Sequence, residues 1–165
     1  MPYRIRKIDH IGIAVPDLEA AVAAFAAVLG VQPFSVEEVP DQKLRTAFFA
    51  AGDTNLELLV PTSHDSPISS FLATRGAGLH HLCFEVPDLE AALAECRANG
   101  MRLIDETPRI GAHGKRIAFL HPKSTGGVLI ELCESRREPS CEPHPRSPHS
   151  TASTPPHGSQ GGSAA

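Results

Sequence analysis

The sequence lacks the features that mark membrane proteins, secreted proteins and nucleic-acid-binding proteins. No apolar run approaches the roughly 20 residues that span a bilayer, and the first ten residues, MPYRIRKIDH, lack the apolar stretch of a signal peptide. The formal net charge is −4 and no predicted face carries a basic cluster, which argues against a nucleic acid partner. We therefore expect a cytoplasmic protein that binds neither membranes nor nucleic acids.

Cysteine is scarce, and its spacing indicates neither a redox centre nor a structural metal site. The chain has four cysteines, none of them in a Cys-x-x-Cys pair. A disulfide framework is not expected in a cytoplasmic chain. We interpret the thiols as buried or incidental. They are Cys83, Cys96, Cys133 and Cys141.

An internal repeat divides most of the chain into two similar halves. The stretch Gly78–Gly100 (GLHHLCFEVPDLEAALAECRANG) repeats Ile8–Gly30 (IDHIGIAVPDLEAAVAAFAAVLG), with His81 lying 71 positions after His10. Two copies are too few for a solenoid, so the repeat predicts a duplicated module that closes on itself. A length of 165 residues, 41% of them hydrophobic, suits one compact domain built from two such halves.

Both halves predict the same order of elements, β-α-β-β-β, over 7–61 and 78–134. Each first strand ends at a proline, and the following helix is capped by Asp17 in one module and Asp88 in the other. Gly30 and Gly100 end these helices. The fold class is therefore α+β. The predicted strands are 7–15, 33–42, 44–50 and 55–60, then 79–86, 102–106, 117–121 and 128–133, with a loop at 108–114.

The segment between the two modules and the C-terminal segment differ in composition. Asp65-Ser66-Pro67 predicts the start of a short helix between the modules, which carries core-facing residues. From about Arg136 the composition changes to Pro, Ser, His and Gly, and such a segment cannot bury enough apolar surface to offset its ordering entropy. We predict one domain over 1–135 and a disordered tail over 136–165.

Four residues in apolar strands suggest a shared metal site. His10 and His81 lie on the first strand of each module, and Glu57 and Glu131 lie on the last. One such histidine is typically structural, and one such glutamate typically faces solvent. Because both occur twice in register, and because a buried charge needs a partner, we favour one divalent cation held by all four. Their nitrogen and oxygen donors suit Zn, Co, Ni, Mn or Fe.

The chain resembles the vicinal-oxygen-chelate superfamily, and within it the methylmalonyl-CoA epimerases. The resemblance covers about Lys7 to Glu134, and its most individual pieces are EEVPDQKLRTAFF, GAGLHHLCFEV and PRIGAHGKRIAFLHPKSTGGVLIELCE. It implies two modules curled into an incomplete barrel around a metal. It also implies an acyl-CoA substrate, Co²⁺ as the metal with Zn, Mn or Ni as alternatives, a homodimer, and a role in propionate metabolism.

The resemblance also assigns residues. Carried over by position, the metal ligands are His10, Glu57, His81 and Glu131. Some members of the family have Gln where this chain has Glu57. Two-base epimerisation at the carbon alpha to a thioester passes through an enolate and needs one acid–base group on each face. The resemblance assigns these roles to Glu131 and Asp41, although Glu is commoner than Asp at position 41.

Other assignments stay open. A glyoxalase I-type lactoylglutathione lyase uses a similar ligand set, but glyoxalases typically carry Asp-Pro-Asp-Gly where this chain has His-Pro-Lys-Ser at 121–124. A non-enzymatic protein of the same fold that sequesters small molecules is a further alternative. Alternation along a strand predicts that His80 points away from His81. Lys115, near the loop, is interpreted as a solvated surface charge more readily than as a contact of CoA phosphates.

Overall fold

The computed structural model describes residues 4–134, which form eight strands and three helices. The predicted tail over 136–165 lies outside these described residues. The strands are β1 (Lys7–Ala14), β2 (Ser35–Val39), β3 (Leu44–Ala51), β4 (Thr54–Pro61), β5 (Gly78–Glu85), β6 (Arg109–Ile110), β7 (Arg116–Leu120) and β8 (Leu129–Glu134). The helices are α1 (Leu18–Leu29), α2 (Pro67–Arg75) and α3 (Leu89–Ala98).

All eight strands belong to one sheet, in the order β2-β3-β4-β1-β5-β8-β7-β6. Within each module the first strand pairs in parallel with the last, β1 with β4 and β5 with β8. The modules join where β1 and β5 pair antiparallel. The sequence of pairings outward from this joint is therefore the same on both sides, as a duplicated module requires.

The sheet curls into an incomplete barrel, and its two ends approach each other. His113, in the loop between β6 and β7, packs against Phe48 of β3 with ring centroids 4.4 Å apart and the rings tilted by 54°. Its Nε2 lies 3.0 Å from Oε1 of Glu37 on the edge strand β2. The described residues thus enclose a concave surface that belongs to both modules.

Helices α1 and α3 cover the outer face of the sheet. Side chains that point outward from β3 and β4, such as Phe49 and Leu58, pack under α1 around Leu18. In the second module Leu132 packs with Leu89 and neighbouring residues of α3. Because strand side chains alternate, their neighbours point inward to the concave face. Helix α2 packs separately against the first module.

The predicted helix boundaries are confirmed. Asp17 Oδ1 accepts the backbone N–H of Ala20 at 2.9 Å, and Asp88 Oδ1 accepts that of Ala91 at 2.9 Å. Gly30 ends α1 in the left-handed region with φ of 70°. The two modules therefore use the same N-terminal capping chemistry at matching positions, whereas α3 has Asn99 as its C-cap, followed by Gly100 with φ of 74°.

The predicted strand at 102–106 is wrong. Only Leu103 forms a bridge there, to Leu120, and the strand next to β7 is instead β6, inside the segment predicted as a loop. Asp105 explains the difference, since its Oδ2 accepts the backbone N–H of Phe119 at 2.9 Å. The backbone N–H of Phe119 would otherwise be available to a neighbouring strand, so its bond to the Asp105 side chain interrupts regular strand pairing.

Two expectations about composition can be compared with the described residues. No described helix has the length and apolar composition that a bilayer span requires. The described cysteines, Cys83, Cys96 and Cys133, are buried and form no disulfide among themselves. Cys141 lies outside the described residues.

The paired caps lead to a prediction about stability. Asp17→Ala and Asp88→Ala should each lower the free energy of unfolding by about 1 kcal/mol, because each leaves a helix N–H without its side-chain acceptor. The double variant should lose about 2 kcal/mol, since the caps are in different modules. Urea denaturation measures this. Asp17→Asn and Asp88→Asn keep an acceptor and should stay near the parent; a loss as large as that of alanine would contradict the capping role.

Candidate metal centre

Four side chains converge at one point on the concave face. The Nε2 atoms of His10 and His81 lie 3.0 Å apart, with the rings at 87°. Oε2 of Glu57 is 3.2 Å from His10 Nε2 and 3.4 Å from His81 Nε2. Oε2 of Glu131 is 3.3 Å from His81 Nε2 and 3.9 Å from His10 Nε2. All four residues are 5% exposed. The structure thus brings together all four residues that the sequence predicted as ligands.

Strand pairing explains why these four meet. Two neighbouring rows cross the centre of the sheet, each with an acid at one end, a histidine at the other and a small residue between them. The rows are Glu57–Gly12–His81 on β4, β1 and β5, and His10–Cys83–Glu131 on β1, β5 and β8. Residues in one row point to the same face, so the duplication places two acids and two imidazoles side by side.

Gly12 allows the His81 ring to fold back over β1. A Cβ added at residue 12 would lie 2.2 Å from Cε1 and 2.3 Å from Nδ1 of His81. Non-bonded atoms do not come this close, so any side chain at residue 12 would force the His81 ring away from the cluster. The need for glycine here comes from this close contact.

Two β-bulges place a second polar residue beside each histidine. The register between β1 and β5 skips Asp9 on one strand and His80 on the other. An extra residue in a bulge breaks the alternation of side chains. Asp9 Oδ2 consequently lies 2.9 Å from His10 Nδ1, and His80 Nδ1 lies 2.9 Å from His81 Nδ1. The prediction that His80 points away from His81 is therefore wrong, because it assumed an unbroken strand.

The two glutamates lie in different environments. The hydroxyl of Thr46 donates a 3.0 Å hydrogen bond to Oε1 of Glu57. Burial raises the pKa of Glu57, but hydrogen bonds from His10 and His81 outweigh burial and hold it well below its usual range. Within residues 4–134, Glu131 Oε1 has only the weak donor Cys83 Sγ, at 3.6 Å. Burial raises the pKa of Glu131 above its usual value.

The two histidines of the cluster also differ in their hydrogen-bond partners. Burial lowers the pKa of His10, but the hydrogen bonds to Asp9 and Glu57 raise it overall to about 10. Burial lowers the pKa of His80, the partner of His81, to about 4. The two rings therefore differ at Nδ1, where His10 faces the Asp9 carboxylate and His81 faces the His80 imidazole.

The donor atoms fit a divalent transition-metal ion. Neighbouring ligands on an ion with bonds of about 2.1 Å lie about 3.0 Å apart, and opposite ligands about 4.2 Å. The distances between the two Nε2 atoms and from each Nε2 to the two Oε2 atoms, from 3.0 to 3.9 Å, fall within this range. His10, Glu57 and His81 have ligand atoms within 4.8 Å of one another, and so does a second group, Asp9, His10 and Cys83. In that group Asp9 is already paired with the ammonium of Lys115 at 2.6 Å.

The cluster opens into a cavity of about 370 Å³. Apolar side chains, among them Phe48, Leu59, Ile68 and Phe119, contribute much of its lining. The rings of Phe48 and Phe119 meet those of His10 and His81 edge-on, at 5.8 and 5.6 Å. The cavity can therefore exclude water from a substrate that reaches the cluster.

Asp41 lies at this cavity but apart from the cluster. It belongs to the 3-10 turn Pro40–Gln42 that follows β2, and its side chain is exposed. It lines the cavity together with Gln42 and Lys43. It is not part of the hydrogen bonds that connect the two histidines and two glutamates. The structure thus brings the second predicted acid to the cavity, on a different element from the cluster.

Sequence reasoning missed the residues that surround the cluster. The same offset of 71 that aligns the histidines also aligns Phe48 with Phe119, a signal that was present in the repeat. Thr46 carries no such signal, because the repeat aligns it with an isoleucine. The interpretation of Lys115 as a solvated charge is wrong, since its side chain is 24% exposed and its ammonium pairs with buried Asp9. The residues missed are Asp9, Thr46, Phe48, Lys115 and Phe119.

Comparison with known proteins finds relatives over most of the chain. The family model of the Glyoxalase/Bleomycin resistance protein/Dioxygenase superfamily matches residues 9–119. The human mitochondrial methylmalonyl-CoA epimerase is 41% identical over 131 residues, which are 79% of this chain and 74% of the human protein. The ethylmalonyl-CoA/methylmalonyl-CoA epimerase of Cereibacter sphaeroides is 42% identical over 78% of this chain and 97% of its own length.

Solved structures agree with the sequence matches. A variant of the Streptomyces coelicolor methylmalonyl-CoA epimerase, in complex with 2-nitronate-propionyl-CoA, superposes with a TM-score of 0.77 at 39% identity. The match covers 81% of this chain and 97% of that one. A lactoylglutathione lyase of Arabidopsis thaliana is more distant, at 25% identity over 138 residues that make up 47% of its length.

The contact between Gly12 and His81 can be tested by mutation. Gly12→Ala should lower the free energy of unfolding by about 1–3 kcal/mol, the usual effect of overpacking. In a His81→Ala background the methyl group has room, so the same substitution should be nearly neutral. Urea denaturation of the parent, the two single variants and the double variant measures the coupling free energy between the two positions. Losses that add within about 0.5 kcal/mol would contradict a direct contact between these residues.

Proposed function

The chain belongs to the methylmalonyl-CoA epimerases of the Glyoxalase/Bleomycin resistance protein/Dioxygenase superfamily, and we propose that it interconverts (R)- and (S)-methylmalonyl-CoA with the help of a metal. The observation that carries the proposal is a buried cluster of two histidines and two glutamates opening into an apolar cavity. That cluster lies in a chain about two-fifths identical to known epimerases over four-fifths of its length.

The substrate explains the need for this site. The proton alpha to the thioester is weakly acidic, so its removal requires stabilisation of the negative charge that develops on the carbonyl oxygen. A bound divalent metal ion would supply this as a Lewis acid. We propose that His10, Glu57, His81 and Glu131 hold the ion, with Co²⁺ as the metal by family resemblance. The geometry of their donor atoms supports this assignment.

We propose that Glu131 exchanges the proton on one face of the alpha carbon. The contacts of the two carboxylates support a different role for each. Oε1 of Glu57 accepts a hydrogen bond from Thr46, which supports a ligand that is held in place. Among the described residues, Oε1 of Glu131 meets only the weak donor Cys83 Sγ at 3.6 Å, so this oxygen is available for proton exchange.

Asp41 is proposed to act on the opposite face. Its support is that it lines the same cavity as Glu131 but on a different element, the turn Pro40–Gln42 rather than β8. The apolar lining would limit exchange of the enolate with bulk water between the two steps. Asp41 is one methylene shorter than the glutamate common in the family, so the substrate would have to bind closer to the turn Pro40–Gln42.

Further features of the proposal come from family resemblance. We propose a homodimer that acts in the cytoplasm, in propionate metabolism. The main rival activity is that of a lactoylglutathione lyase, since such enzymes use a similar set of ligands. The distant match to the Arabidopsis protein gives it less support than the epimerase matches give the proposal. A protein of the same fold that only sequesters a small molecule would be expected to lack the paired acids.

Deuterium incorporation tests the activity. In deuterium oxide the metal-loaded protein should introduce deuterium at the alpha carbon of methylmalonyl-CoA, and removal of the metal with a chelator should abolish this. Turnover of the methylglyoxal–glutathione adduct in place of exchange would establish the lyase and overturn the proposal. NMR of the acyl-CoA distinguishes the two outcomes.

Substitution of the proposed acids tests their roles. Glu131→Gln and Asp41→Asn should each reduce epimerisation about 10²- to 10⁴-fold, the range for loss of a general acid–base group. Both variants should retain the far-UV circular dichroism of the parent. Glu38→Gln, at an exposed position of the edge strand β2, is the matched control and should keep full activity. Parental activity in either active-site variant would remove that residue from the mechanism.

Metal content tests the ligands separately from catalysis. The double variant His10→Ala/His81→Ala should purify without the metal that the parent carries, because it lacks both nitrogen donors. Elemental analysis after dialysis gives the metal-to-protein ratio. An unchanged ratio would place the metal elsewhere, while leaving the deuterium experiment interpretable.

A further inference from the structure

Lys115 lies at the start of a chain of hydrogen bonds that ends at the metal centre. Its Nζ donates to Oδ1 of Asp9 at 2.6 Å, and Oδ2 of the same carboxylate lies 2.9 Å from Nδ1 of His10. The opposite ring nitrogen, Nε2 of His10, faces the cluster. Asp9 is only 2% exposed. Its buried negative charge is therefore balanced by the hydrogen bonds to Lys115 and His10 rather than by water.

This chain of bonds connects the two modules. Asp9 and His10 belong to β1 of the first module. Lys115 follows the 3-10 turn Ala112–Gly114 in the second module, on the loop that also carries His113 against Phe48 and Glu37. The loop that covers the cavity is therefore tied to a proposed ligand on the other module.

The repeat provides no counterpart of this arrangement for the other histidine. At the offset of 71 that aligns the histidines, Lys115 aligns with Leu44, which is buried in an apolar cluster. Asp9 aligns with His80, whose ring meets that of Phe71 edge-on at 4.8 Å. Lysine and carboxylate thus support His10, whereas imidazole and an aromatic ring support His81.

We propose that Lys115 is a positioning residue that orients His10 toward the metal through Asp9, and so couples the covering loop to metal binding. The inference rests on the proposed metal site. Partners that hold the far nitrogen of a ligating histidine set its tautomer and ring orientation, and their loss typically lowers metal affinity about 10- to 100-fold. Because Lys115 acts one residue further out, we expect an effect near the lower end of that range.

Two other roles for Lys115 would give different results. If it only neutralised the charge of Asp9, its loss would leave the geometry of the bound metal, and therefore the visible absorption spectrum of bound Co²⁺, unchanged. If it only bound the substrate, its removal would change KM and leave metal affinity in the substrate-free protein intact. Measurement of metal binding without substrate therefore separates positioning from substrate recognition.

The experiment is a Co²⁺ titration of the metal-free full-length protein against a competing chelator, without substrate. Lys115→Met and Lys115→Gln should each weaken Co²⁺ binding about 10-fold and alter the visible absorption spectrum of the bound ion. Lys115→Arg can still donate to Asp9 and should recover most of the affinity and the spectrum. Lys123→Met, at an exposed position beyond β7, is the control and should match the parent.

A double variant tests whether Lys115 acts through Asp9. Asp9→Asn should weaken Co²⁺ binding by itself, and adding Lys115→Met should produce little further loss, because the bond between them is already disrupted. Losses that multiply would overturn the coupling. Parental affinity and spectrum in both neutral Lys115 variants would overturn it as well.

The same titration separates this inference from the metal site on which it rests. His10→Ala should lose most of the Co²⁺ affinity. If His10→Ala binds Co²⁺ as tightly as the parent, the proposed site is wrong and the role of Lys115 falls with it. If His10→Ala fails to bind while the Lys115 variants remain parental, only the role of Lys115 is overturned.

Discussion

Two carboxylates and two imidazoles share one buried volume, and most of the structure around them compensates for that arrangement. Glu57 and Glu131 are both buried on adjacent modules, and each carboxylate would be costly there without a partner. The imidazoles provide hydrogen bonds, and Thr46 provides another to Glu57. A divalent cation could bind both carboxylates and both imidazoles at once, and it would balance the two negative charges. The concentration of charge thus favours a metal centre over an ordinary buried ion pair.

Duplication accounts for the convergence, and departures from the repeat account for its chemical character. An exact twofold site would give both glutamates the same pKa and both histidines the same partner. In this chain Thr46 aligns with Ile117, so only Glu57 receives a hydroxyl bond. Asp9 aligns with His80, so the Nδ1 atom of His10 faces a carboxylate whereas that of His81 faces an imidazole. In the proposed mechanism these differences would let Glu57 serve as a held ligand while Glu131 exchanges a proton.

The repeat was sufficient to predict the α+β fold, both capped helices and the four residues of the cluster, because periodicity and duplication are visible in one dimension. Features that depend on pairing between distant strands were not predictable in this way. The bulges at Asp9 and His80 exist only once β1 meets β5. The failed strand at 102–106 depends on Asp105 reaching Phe119 on β7. Lys115 meets Asp9 across more than a hundred residues of sequence.

Closure of the barrel links these features to catalysis. The loop that contains His113 and Lys115 begins in the second module, yet its contacts are with Phe48, Glu37 and Asp9 of the first. In an open groove the enolate would be exposed to water, which stabilises and protonates it without control by the protein. Enclosure by the second module's loop would keep proton exchange with the groups that line the cavity. Because the same loop bonds to Asp9, closure of the cavity and orientation of His10 depend on one set of contacts.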